Sequence, residues 1–381
     1  MYVSSWPVLS IRELFPKPSE RPLPYPLNAP QRQSFCLARS GIYHLFRTLK
    51  LQSNDTVLAP DYYSGNEIAA IQAAGGSLAH YPIGRNFEPD LAALERMAKE
   101  LRPRVVYVIH YLGWPQPIQE IKAICERYGS ILVEDCALSM LSESGGKPLG
   151  STGDYSVFCL YKTLPVPNGG LLVQNTPDMP AVSDLRLRPC SPMDCAGRST
   201  ELLLEALRSR FNALGAALFA FKRSIGRSLR AASFQPVKVG DIGWNLDNVD
   251  VAMSSLSDRV MTGLDYAAIR ERRRRNFELM SNKLRGRVAA VRDDLQDGVC
   301  PLFFPILVKN KWAIAQALRN RGIGAVEFWN DPQENPSIGP AARFLRAHVL
   351  ELPIHQGVTE SQVEYIANQV LRLKPLAAPC Y

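Results

Sequence analysis

The sequence lacks the features that would place it outside the cell, in a membrane or on nucleic acid. Its eight cysteines (36, 125, 136, 159, 190, 195, 300 and 380) form no C-x-x-C pair and no disulfide framework. Several fall inside apolar strand or helix patterns, which predicts reduced, buried thiols and a cytoplasmic setting. The opening MYVSSWPVLSIRELFPK has neither the basic start nor the long apolar run of a signal peptide. No stretch reaches the length of a transmembrane helix. There is no internal repeat, no low-complexity tract and no nucleic-acid-binding motif, so nucleic acid is not an expected partner.

At 381 residues the chain is long enough to bury a sizeable core and to form two domains. Its composition, 46% hydrophobic and 21% charged, carries no bias toward disorder. The net charge of +8 suits anionic ligands such as a phosphorylated cofactor.

One stretch organises the rest: residues 131 to 170, ILVEDCALSMLSESGGKPLGSTGDYSVFCLYKTLPVPNGG. The apolar run Ile131-Leu132-Val133 ends in Glu134-Asp135. This reads as a buried parallel strand delivering a carboxylate at its C-terminal end, where open α/β sheets place ligand chemistry. A glycine-rich stretch and a second short strand, Ser156 to Leu160, lead to Lys162 and then to Gly169-Gly170. Asp135 and Lys162 are thereby expected at one edge of a sheet. A carboxylate and an amine so placed are what pyridoxal phosphate (PLP) needs: the amine forms a Schiff base, and the carboxylate keeps the ring nitrogen protonated. Each residue taken alone also reads as a helix cap or a surface lysine.

The combined pattern resembles the DegT/DnrJ/StrS family of PLP-dependent aminotransferases, which act mostly on nucleotide-linked keto-sugars. The matching residues are Glu134-Asp135-Cys136-Ala137, Gly150 to Asp154, Lys162 and Gly169-Gly170. The resemblance implies the PLP-dependent transferase fold of the aspartate aminotransferase type (fold type I). It has a large domain with a mainly parallel sheet and a smaller C-terminal α/β domain. It also implies an amino donor such as glutamate, a nucleotide-linked keto-sugar acceptor and a homodimer.

Proline-rich residues 1–30 read as an extended arm, which in the family wraps the large domain or a neighbouring subunit. Residues 31–240 would form the large domain and 241–381 the connecting helix and small domain. Ser40-Gly41 precedes an apolar helical pattern. It is either an ordinary N-cap or an anion site built from free amides and the helix dipole. The family has a threonine at the next position, where this chain has Ile42. Tyr62 and Tyr63 are the candidates for an aromatic stacked on the cofactor. His110 and Tyr111 end a predicted strand at 105–113 and match a family H-x-x-G that lines the site. Ala137 belongs to the E-D-x-A pattern. Cys159 stands near the family's phosphate-touching serine, and Leu138 replaces its usual Gln or His. Gly243-Trp244-Asn245 is similar to a family motif whose asparagine reaches the neighbouring subunit's cofactor phosphate. No metal is expected.

Residues 201–231 form an apolar helical pattern interspersed with Arg208, Arg210, Lys222, Arg223, Arg227 and Arg230. Such a helix suits an anionic membrane surface; an interdomain or dimer contact is the favoured reading. A helix starting at 253–261 is expected to run on to Leu284, and a short strand is expected at 325–328. The departures at Ile42, Leu138 and Cys159 keep two alternatives open. One is another PLP reaction, such as sugar dehydration or carbon–carbon bond formation. The other is a non-catalytic scaffold or regulator.

Overall fold

The computed structural model describes residues 1–17, 21–182, 185–211, 244–329 and 337–373. Its frame is a seven-stranded sheet. The strands are β1 (Arg32–Phe35), β2 (Thr56–Pro60), β3 (Ser77–Tyr81), β4 (Val105–Ile109), β5 (Ile131–Asp135), β8 (Tyr155–Cys159) and β9 (Gly170–Gln174). Between β5 and β8 lies a small hairpin of β6 (Glu143–Ser144) and β7 (Lys147–Pro148). The order across the sheet is β1-β9-β8-β5-β4-β2-β3. Neighbours from β8 to β3 are parallel, and β9 runs antiparallel to both its neighbours.

The topology follows from the apolar runs. Every residue of β4, β5, β8 and β9 is buried, as expected of strands covered on both faces. Helices Asn66–Ala73, Leu91–Leu101 and Ile118–Tyr128 make the crossovers. The C-terminal ends of β2, β4, β5 and β8 therefore meet at one edge. There Ile109 pairs with Asp135, and Asp135 with Val157.

The C-terminal part adds the antiparallel pair β10 (Phe303–Leu307) and β11 (Val349–Pro353). Helices Tyr266–Leu284, Lys311–Asn320, Pro340–His348 and Glu360–Arg372 accompany it. No described helix is long and apolar enough to cross a membrane.

Three expectations change. The helix starting at Ser255 does not run to Leu284. It stops at Thr262, and Asp265 caps a second helix by accepting from the Ala268 amide at 3.0 Å. Gly263 sits at the break, where a Cβ would stand 2.3 Å from Pro16. Residues 325–328 supply only a single bridge, Val326 to Glu351, because the chain turns away at Trp329, whose φ is 53°. The N-terminal arm is packed: Val3 and Leu9 are buried, Val3 bridges Ile323, and the Trp6 ring meets Phe303 edge-on at 5.1 Å. The arm thus docks on the C-terminal part of its own chain. The expected domain boundary near 240 lies outside the described residues. So do 212–231 of the basic segment; its first turns belong to helix Pro192–Arg210, where Arg208 lies 3.9 Å over the Tyr2 ring.

Candidate active site

Alternation along β5 sends consecutive side chains to opposite faces. Glu134 is fully buried and takes the side away from the cavity. Its carboxylate accepts from the amides of Gly150 (3.1 Å), Thr152 (2.9 Å) and Gly153 (2.5 Å), and from His110 Nε2 (2.8 Å). The G-S-T-G-D loop is wound around this carboxylate. Gly153 packs tightly against it: a Cβ there would stand 3.0 Å from Glu134 Cγ and from the Leu132 carbonyl. Asp154 closes the loop, accepting from the Leu132 amide (2.8 Å) and Lys122 Nζ (3.0 Å).

Asp135 takes the other side. One oxygen accepts from the Tyr107 hydroxyl at 2.6 Å and the other from the Ala137 amide at 2.8 Å. Burial raises its carboxyl above the usual range, while these hydrogen bonds and the Lys162 charge pull it back. Lys162 lies in a single turn, Leu160–Thr163, directly after β8. Both residues line one cavity, together with Ala38, Arg39, Ile42, Ser64, Glu67, Ala137, Leu138, Cys159 and Trp329.

The cavity's third corner is the start of helix Ala38–Thr48. Its N-cap is Leu37, so the first turn begins at Ala38, three residues earlier than a cap at Ser40 would give. Ser40 and Gly41 do not line the cavity; the Ser40 hydroxyl approaches the Asn248 carbonyl at 3.5 Å. Gly170 explains how this helix comes so close. A Cβ there would stand 2.3 Å from the Ala38 nitrogen.

Several expected contacts go elsewhere. The Tyr62 ring packs with Phe87, Tyr111 and Trp329, and the Tyr63 ring stacks on His80. Neither lines the cavity, because the β2–helix turn presents Ser64 and Glu67 instead. His110 is a strut: Nε2 donates to Glu134, and Nδ1 accepts from the Gln116 amide at 3.0 Å. That pattern fixes a neutral tautomer facing away from the cavity. The Tyr111 hydroxyl donates to the Tyr62 carbonyl at 2.7 Å. His110, Glu134 and Cys136 cluster tightly, but the Glu134 oxygens are already taken by amides. Asn245 is exposed and caps a short turn through the Asp247 amide at 2.9 Å. Its neighbour Gly243 lies outside the described residues.

Some site residues had escaped the sequence reading. Glu67 holds the Ser64 amide (2.6 Å) and hydroxyl; burial, then the Asp135 charge, raise its carboxyl. The spacing Ser64-x-x-Glu67 was a legible signal, being the pattern of a capping box. Arg273 gave none: it stands in the run Arg272–Arg275, a pattern usual for a solvated helix face. It is in fact fully buried, donating to Gln356 Oε1 (2.9 Å) and to the carbonyls of Leu302 (3.1 Å) and Thr163 (3.1 Å). Gln356 Nε2 also reaches the Thr163 carbonyl at 3.0 Å, so the turn carrying Lys162 is held from two directions.

Residues 37–218 match the DegT/DnrJ/EryC1/StrS aminotransferase family. The chain is 26% identical over 131 residues to GDP-perosamine synthase of Vibrio cholerae, covering 34% of this chain and 35% of that protein. It thus spans about a third of the length of the curated relatives it matches. Helicobacter pylori PseC, an aminotransferase involved in the biosynthesis of pseudoaminic acid, superposes with a TM-score of 0.65 at 16% identity, covering 97% of this chain and 98% of PseC. The aminotransferase TlmJ of Streptoalloteichus hindustanus gives 0.62 at 20% identity, with 90% and 85% covered. The fold is that of the PLP-dependent aminotransferases, fold type I.

The cavity fits the cofactor of this family at three points. A buried carboxylate stands opposite a lysine amine on adjacent strand ends, and a helix N-terminus closes the remaining corner. The walls differ from the family pattern as the sequence indicated, with Ile42, Leu138 and Cys159 in place of polar side chains.

Proposed function

We propose that the protein is a PLP-dependent aminotransferase that passes an amino group from an amino-acid donor, glutamate by family resemblance, to a nucleotide-linked keto-sugar. The observation that carries this reading is the shared cavity of Asp135 and Lys162, set at the edge where four strand ends meet.

PLP, when bound, supplies an aldehyde for the lysine amine and an electron sink for a carbon that loses its proton. Asp135, with Tyr107 and Ala137 fixing its oxygens, would hold a proton on the ring nitrogen. The first-turn amides at Ala38 and Arg39 would take the phosphate with the helix dipole. The Lys162 amine would remove a proton from the reacting carbon and return it as general acid. Ile42, Leu138 and Trp329 keep water from that carbon.

A homodimer goes with this reading. The phosphate corner lacks the family's side-chain hydroxyl, and Asn245 of the partner subunit would supply an amide. The buried thiols Cys36, Cys125, Cys136, Cys159 and Cys300, none of them in a disulfide, suit a reducing, cytoplasmic setting.

Purified protein incubated with PLP and desalted should show a visible absorbance band that Lys162→Ala abolishes. L-Glutamate should bleach the band with release of 2-oxoglutarate. Absence of both band and retained cofactor refutes the reading. A band that glutamate leaves unchanged favours the second reading, a different PLP reaction on the same scaffold. Glu67 beside Asp135, and the apolar Ile42 and Leu138, support that alternative.

A further inference from the structure

A second carboxylate stands in the cavity beside Asp135. Glu67 lies in the first turn of helix Asn66–Ala73, which follows β2, and it lines the cavity together with Asp135 and Lys162. It is only 6% exposed. Its own turn holds it: Oε1 accepts from the Ser64 amide at 2.6 Å, and Oε2 shares a hydrogen bond with the Ser64 hydroxyl. The charge it meets most strongly is the like charge of Asp135. Two carboxyls in one buried site do not both ionise freely, because each disfavours the charge of the other.

The partners decide which of the two carries a proton. Burial raises both carboxyls. Asp135 is pulled back by the Tyr107 hydroxyl, the Ala137 amide and the Lys162 charge. Glu67 is pushed up further by Asp135, against the Ser64 hydrogen bonds alone. A protonated Glu67 also loses no partner: the Ser64 hydroxyl rotates, so it accepts from a protonated Oε2 as well as it donates to an ionised one. The other groups around the pair do not compete for this proton. Tyr107 and Tyr111, from β4 and its end, are phenols kept neutral by burial. His110 is held by Glu134 and the Gln116 amide, and Arg39 and Tyr161 line the remaining wall.

We propose that Glu67 and Asp135 act as one carboxyl pair that holds a single proton near neutral pH, carried by Glu67, and that Glu67 gives it up when a protonated cofactor ring nitrogen faces Asp135. The pair loses one proton in either case: to solvent when that nitrogen arrives protonated, to the nitrogen itself when it arrives neutral. Glu67 is thereby a positioning residue, which adds a second negative charge behind Asp135 once there is a cation to hold. This role rests on the PLP reading, in either of its two forms, and two measurements keep the pair and the cofactor apart. The first is urea unfolding of the full chain without added PLP, from mildly acid to alkaline pH, for wild type, Glu67→Gln, Asp135→Asn and the double variant. Gln keeps the length and the Ser64 contacts but cannot ionise; Glu67→Thr, equally neutral, replaces it if Glu67→Gln does not fold. A carboxyl raised in the folded chain above its ordinary 4.5 contributes stability that is full below 4.5 and is lost as pH rises through the folded value. Glu67→Gln should therefore gain on wild type with rising pH, by up to about tenfold in the folding constant per pH unit. The gain should shrink when Asn stands at 135. The second measurement is PLP affinity against pH. Wild type and Glu67→Gln should bind equally in mild acid, with a wild-type advantage that grows to about tenfold in alkali. A merely structural role would weaken binding by the same factor at every pH. A stability gain that ignores residue 135, or an affinity ratio that does not change with pH, overturns the proposal. Wild type that binds no PLP counts against the aminotransferase reading, while the unfolding titrations still decide whether the pair shares a proton.

Discussion

Glu134 and Asp135 are consecutive residues of β5 with opposite tasks. Glu134 gathers three loop amides and His110 on one side of the strand, while Asp135 faces the cavity on the other.

The two carboxylates should separate in mutants. Glu134→Ala leaves a fan of buried donors without an acceptor and should cost about 3–5 kcal/mol, as when one partner of a buried ionic network is removed. Asp135→Asn keeps an acceptor for the Ala137 amide and should change stability by no more than about 1 kcal/mol, yet lose retained PLP. Urea unfolding and the cofactor absorbance of desalted protein read the two effects. A large stability loss in Asp135→Asn, with PLP retained, would reverse the assignment.

Acid should destabilise the fold through His355. Burial and the nearby Arg273 charge depress its imidazole from 6.5 to about 3. The neutral ring is satisfied on both nitrogens, near the Ser4 carbonyl (3.1 Å) and the Gly357 amide (3.2 Å). The unfolded chain takes up a proton below pH 6.5 that the folded chain refuses until about pH 3. Stability is therefore full above pH 6.5 and falls as pH drops through that window, by about 1.4 kcal/mol per unit from this group. His44 and His80 are lowered by burial too and act in the same sense. Urea titrations from neutral to acid pH should show a shallower decline in His355→Gln. An unchanged slope would exclude His355 as a source.

Arg273 should act on the Lys162 turn. Burial without a carboxylate partner among the described residues lowers its guanidinium to about 10. Arg273→Met removes the donors to Thr163, Leu302 and Gln356 and should destabilise by about 1–3 kcal/mol. Protein that remains folded should retain PLP but bleach more slowly with amino donor, with Arg273→Lys intermediate. Normal bleaching in Arg273→Met would reduce the residue to a packing role.

Composite sites should reveal themselves by complementation. Asn245→Ala should weaken PLP retention without unfolding the chain, because the residue is exposed and caps only a short turn. Mixing it with Lys162→Ala should restore part of the activity, since one site per heterodimer then carries neither defect. No recovery despite demonstrated subunit exchange, or a fully active monomer in sedimentation, excludes the arrangement.

The sequence by itself determined the sheet and the reactive pair. Runs such as Val105–Ile109 and Ile131–Asp135 can only be strands covered on both faces. The period of two then sends Glu134 and Asp135 to opposite sides, and the short path from β8 puts Lys162 at the same edge. Glycines at 153 and 170 were visible as letters, and their close approaches to Glu134 and Ala38 give the reason for them. What only the tertiary structure decided concerns side chains whose partners lie far along the chain. Tyr62, Tyr63, His110 and Tyr111 sit at the right strand ends, but packing against Phe87, His80, Glu134 and Trp329 turns them away from the cavity. Arg273 looked solvated because burying a guanidinium requires acceptors from three distant segments, ending at Thr163, Leu302 and Gln356. Trp329 enters the cavity through a backbone conformation held by Lys311, Arg346 and Glu351. Local propensity is set by neighbours in sequence, whereas burial and hydrogen-bond satisfaction are set by neighbours in space, and at this cavity the two disagree.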